Sequence, residues 1–140
     1  MLQRHIVIAE DLPSLSRRLA HLVQTLVDLH AEDERTVSVS ITHSAQTAFR
    51  QITEQHRPDQ NDSRWLILTD GSMPADKDAK LCTGLDLARA ARELLHDRVR
   101  IILLTGDTLP NPQPSFLDGM LQKPYAPEAL KALVTPFFDD

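Results

Sequence analysis

Apolar residues in this chain fall into two kinds of run that alternate along its length. Short runs occur at Ile6–Ala9, at Trp65–Leu68, at Val99 with Ile101–Leu104, and more weakly over Gly119–Gln122. A continuous apolar run of this length predicts a strand covered on both faces. Val37, Val39 and Ile41 alternate with polar neighbours and predict another strand. Between these runs the spacing becomes helical: Leu12, Leu15, Leu19, Leu22, Val23, Leu26 and Leu29; then Ala45, Ala48, Phe49 and Ile52; then Leu85, Ala88, Ala91, Leu94 and Leu95; finally Leu130, Leu133, Val134 and Phe137. Pro13 and Pro127 suit first-turn positions, and Ser44 suits an N-cap. The polar stretch Arg57–Arg64, with Pro58, Asn61 and Asp62, predicts a loop.

Strands alternating with helices imply an α/β domain with a mainly parallel sheet and helices on both faces. Right-handed crossovers then bring the carboxyl ends of the strands to one edge. The regularity breaks between Thr105 and Lys123, where Pro110, Pro112 and Pro114 oppose a helix. That helix is expected to be missing or reduced to a turn. There is no internal repeat or linker, so residues 1–140 are expected to form one domain.

Composition narrows the field. With 41% hydrophobic and 25% charged residues, the chain is ordinary for a globular protein, and a net charge of −5 lacks the basic footprint of a nucleic-acid binder. The one cysteine, Cys82, forms no intramolecular disulfide, and no apolar run reaches a membrane span. A cytoplasmic protein without membrane or nucleic-acid partners is expected.

Ligands of open α/β sheets bind beyond the carboxyl ends of the strands. This chain places Glu10-Asp11 after the first strand, Asp70-Gly71-Ser72-Met73-Pro74 after the third, Thr105-Gly106 after the fourth and Lys123-Pro124 after the fifth. Two like charges about 4 Å apart repel by about 4 kcal/mol at an effective dielectric near 20. Three carboxylates on one edge therefore call for protons or a cation. A hard divalent ion such as Mg²⁺ suits oxygen ligands, and the six histidines show no zinc-ligand spacing. Taken singly, each piece has a plain alternative: a helix start at Asp11, turns at Asp70-Gly71 and Thr105-Gly106, a surface lysine at Lys123.

Together, in this order and after these strands, the pieces resemble the receiver domain of response regulators. The resemblance implies a flavodoxin-like, doubly wound sheet of five parallel strands in the order 2-1-3-4-5. It implies that Asp70 is the phospho-accepting nucleophile of a two-component phosphorelay. Mg²⁺ (or Mn²⁺) would be held by Asp11 and Asp70, by Glu10 through water, and by the Ser72 carbonyl. Thr105 and Lys123 would contact phosphoryl oxygens. The implied donor is a phosphohistidine on a sensor histidine kinase or a histidine phosphotransfer protein. The resulting acyl phosphate would be labile, and the chain would promote its own phosphorylation and dephosphorylation rather than turn over a substrate. A stand-alone receiver without an output domain is expected.

The chain departs from the pattern in three places. Glu10 stands where an aspartate is commoner. Nine residues, Ala75 to Thr83, enlarge a loop beside the site. The aromatic switch position three residues before the lysine is Met120, with Phe116 as a candidate substitute. Two other readings stay open: a receiver-like binding module independent of phosphorylation, and a hydrolase with an aspartate nucleophile. The hydrolase is disfavoured because Ser72 occupies the place of a second acid.

Overall fold

The computed structural model describes residues 3–30, 36–57, 63–72, 81 and 83–139. Five strands, β1 (Gln3–Ala9), β2 (Thr36–Thr42), β3 (Ser63–Asp70), β4 (Val99–Thr105) and β5 (Gly119–Gln122), form one parallel sheet in the order β2-β1-β3-β4-β5. This is the predicted order, reached by crossovers through α1 (Pro13–Leu29), α2 (Ala45–Gln55) and α3 (Gly84–Leu95); α4 (Pro127–Val134) follows β5.

Side chains alternate across the strands with a period of two. Val7, Ala9, Trp65, Ile67, Ile101 and Leu103 face α2 and α3. Ile6, Ile8, Leu66, Leu68, Ile102 and Leu104 face α1 and α4. Both layers are buried, which is why the central strands read as unbroken apolar runs. Each fully buried Leu, Ile or Val side chain contributes about 1.5–3 kcal/mol. Helix starts follow local chemistry: Pro13 and Pro127 lie in first turns, and Ser44 accepts a hydrogen bond from the Thr47 amide.

Several boundaries differ from the pattern-based expectation. β1 begins at Gln3, three residues before its apolar run. Ser63 and Arg64 belong to β3 rather than to the preceding loop, because they pair with Gln3 and Arg4. Backbone pairing extends a strand past its apolar residues whatever side chains it carries. Asp70 is the last residue of β3, not the first beyond it. Phe137 lies in a 3₁₀ turn, Thr135–Phe138, rather than in α4; Pro136 has no N–H to continue an α-helix. Between Thr105 and Gly119 there is no helix, as the three prolines predicted.

Candidate functional site

The carboxyl edge of the sheet collects the predicted residues. Glu10 follows β1 and is fully buried. Its amide donates to the Thr42 carbonyl at 3.0 Å, which anchors it beside β2. Its Oε1 accepts from the Leu12 amide at 3.3 Å and its Oε2 from Lys123 Nζ at 2.8 Å. Asp70 is also buried, and its Oδ2 lies 3.4 Å from Lys123 Nζ. Its Oδ1 accepts from the Ser72 amide at 3.2 Å. Carboxylate oxygens of Glu10, Asp11 and Asp70 lie within 4.8 Å of one another.

Thr105 closes the other side. It is buried at the end of β4, and its carbonyl accepts from the Lys123 amide at 2.7 Å. That bond fixes the lysine's backbone to the hydroxyl-bearing strand. Two glycines permit the close packing. A Cβ on Gly71 would lie 3.0 Å from Thr105 Oγ1, and one on Gly84 would lie 2.0 Å from the Asp70 carbonyl oxygen. α3 therefore starts directly against the backbone of Asp70. The sequence reading missed this role of Gly84; its signal was the capping box Thr83…Asp86 that opens α3.

The electrostatics match the crowding. Burial and the neighbouring Asp70 charge raise the Glu10 pKa, against the opposing pull of Lys123. Burial alone would lower Lys123, but its hydrogen bond to Glu10 and the charges of Glu10 and Asp70 raise it overall. Three carboxylates face one ammonium, an excess of two negative charges when all are ionised. The donor set is all oxygen, without His or Cys. Both facts fit a hard divalent cation.

The remaining predicted residues are placed as follows. Ser72 follows Asp70 and donates its hydroxyl to Asp107 Oδ2 at 3.0 Å. Met120 pairs with Leu103 and packs, partly buried, against the α2–α3 layer. Phe116 packs, partly buried, against the α2–α3 layer, under the Arg89 guanidinium at 5.3 Å, and its carbonyl accepts from Arg92. The enlarged Ala75–Thr83 loop lies outside the described residues apart from Leu81 and Thr83; its ends are tied by a bridge between Ser72 and Thr83. Among the described residues, no helix is long and apolar enough to cross a membrane.

No family model and no curated protein sequence matches the chain. Solved structures do. A CheY-like response regulator receiver domain from Methylobacillus flagellatus is 16% identical with a TM-score of 0.68, over 98% of this chain and 99% of that one. A response regulator receiver protein from Sinorhizobium medicae is 20% identical with a TM-score of 0.64, over 98% and 95%. The receiver domain of the PhyR response regulator from Erythrobacter litoralis is 18% identical with a TM-score of 0.64, over 98% and 91%. The chain thus has the fold of CheY-like receiver domains.

Proposed function

We propose that this chain is a phospho-accepting receiver in which Asp70 takes a phosphoryl group from a phosphohistidine donor. The observation that carries the reading is the convergence of Glu10, Asp11, Asp70 and Lys123 from three strand ends, with the Glu10 and Asp70 carboxylates both buried. The fold shared with receiver domains supports it. In the reaction, an Asp70 oxygen attacks phosphorus as the P–N bond to the donor imidazole breaks, and the imidazole leaves with its electron pair. Catalysis of such a transfer is mainly positioning and charge neutralisation. Glu10, Asp11, Asp70 and the Ser72 carbonyl would hold Mg²⁺ or Mn²⁺, which when bound supplies positive charge to the phosphoryl oxygens. Lys123 contributes an ammonium from the other side, and Thr105 a hydroxyl. The Ser72 amide, which donates to Asp70 Oδ1, would turn to a phosphoryl oxygen.

An apolar cleft of about 480 Å³ opens beside Glu10 and Lys123, lined by Leu15, Leu19, Leu22, Tyr125 and Pro127. It offers a sensor kinase or phosphotransfer protein a seat for an amphipathic helix next to Asp70. The test is intact-mass measurement after incubation with phosphoramidate and Mg²⁺. One added phosphoryl group is expected, absent without the metal and absent in Asp70→Asn. No adduct in the wild type at high donor concentration would refute the reading and favour a binding module that works without phosphorylation.

A further inference from the structure

The segment that replaces a helix between β4 and β5 is tethered very unequally at its two ends. The far end is anchored several times over. Asp118 donates its amide to the Ile101 carbonyl at 2.8 Å, and its Oδ2 accepts from the Ile101 amide at 2.7 Å and from Arg92 at 2.5 Å. Leu117 is buried in the core, and Arg89 and Arg92 of α3 hold the ring and the carbonyl of Phe116. The near end, Gly106 to Thr108, is exposed; among the described residues it is held by the bond from the Asp107 amide back to the neighbouring Thr105 hydroxyl, and by Ser72 Oγ, which donates across the mouth of the site to Asp107 Oδ2 at 3.0 Å.

That bond belongs to a chain of contacts running through the site. Asp70 Oδ1 accepts from the Ser72 amide, the Ser72 hydroxyl donates to Asp107, and the Asp107 amide donates to Thr105 Oγ1 at 3.1 Å. The carboxylate of Asp107 is thus one serine away from Asp70, and its amide donates to a lone pair of the Thr105 hydroxyl. A phosphoryl group on Asp70 would add negative charge one serine away from Asp107 and draw on the Ser72 amide, shifting the residue that carries the tether's donor. Both changes act on the Ser72–Asp107 tether, while Asp118 is held at the far end by Ile101 and Arg92.

We propose that Ser72 and Asp107 form a charge-operated latch, which a phosphoryl group on Asp70 opens to free residues 106–110 while 116–119 stay fixed. The inference rests on the phospho-acceptor reading above. It gives this chain a way to report its state without a fourth helix and without an aromatic residue at Met120. The free half, with Pro110 at its end, then becomes the surface that differs between the two states.

The test is amide hydrogen exchange in Mg²⁺ with and without beryllofluoride, a phosphoryl mimic whose binding is followed separately by its bound fluorine resonance. In the wild type, the mimic is expected to speed exchange over 106–109 about fivefold and leave 116–119 unchanged. Ser72→Ala should show fast exchange over 106–109 with no ligand at all. Asp107→Asn keeps an acceptor for Ser72 but loses the charge, so 106–109 should stay slow when the mimic is bound. Bound mimic with unchanged exchange, or an unaltered Ser72→Ala protein, would overturn the latch alone. Absence of any bound fluorine resonance in the wild type would overturn the phospho-acceptor reading and the latch with it.

Discussion

Charge is buried at both poles of the sheet, and the two poles handle it in opposite ways. At the amino ends of the strands the charges are arginines, Arg4 buried and Arg92 and Arg100 half-buried, that spend most of their donors on carbonyls. Arg92 donates to His96 and Val99 at 2.8 and 3.0 Å, Arg100 donates to Leu133 at 2.6 Å, and the buried Arg4 donates to Phe137. A neutral carbonyl satisfies an arginine without adding like charge, so these bonds lock α3, α4 and the last turn to the sheet. At the carboxyl ends the buried charges are carboxylates that face one another across a single lysine. The crowding there is unfavourable without a cation. The contrast separates buried charge that holds a fold from buried charge kept for chemistry: the second kind is incomplete.

Breaking the arginine pole should cost the most. Arg92→Met removes the bonds to His96, Val99, Phe116 and Asp118 together, and a loss of about 3 kcal/mol is expected in urea unfolding, with Mg²⁺ binding retained. Completing the acidic pole should help by nearly as much. At a hundredfold excess over its dissociation constant, Mg²⁺ should raise wild-type stability by about 2.7 kcal/mol, and the gain should fall sharply in Asp70→Asn. Without metal, Asp70→Asn relieves like-charge crowding and should itself stabilise the protein by about 1 kcal/mol, the usual sign of a function–stability trade. A destabilised Asp70→Asn would blur the distinction between the poles.

The smallest effect concerns His5, which stacks on Trp65 at 4.2 Å and whose pKa burial lowers from 6.5. The unfolded chain takes up a proton at His5 near pH 6.5, before the folded chain does. Its contribution is therefore present above that pH and is lost as pH falls towards the lowered folded value. The unfolding midpoint of the wild type should drop over this range, and His5→Gln should flatten the drop.

Much of this was legible in the residues themselves. Unbroken runs such as Trp65–Leu68 announced two-sided burial, and acids, a hydroxyl and a lysine at strand ends announced a shared edge. Three prolines announced the missing helix. What could not be read was set by contacts between distant side chains. Nothing in Asp107 alone says that it meets Ser72, and nothing in Arg92 says that it gathers four partners. Ser63 and Arg64 looked like loop because their pairing is a property of the neighbouring strand.

The most direct measurement of the central claim is the position of the modified side chain. After phosphorylation with phosphoramidate and Mg²⁺, borohydride reduction converts an acyl phosphate to a stable alcohol that peptide mass mapping can locate. The account predicts reduction at Asp70 alone. Label on Glu10, Asp11 or a histidine, with Asp70 untouched, would contradict it.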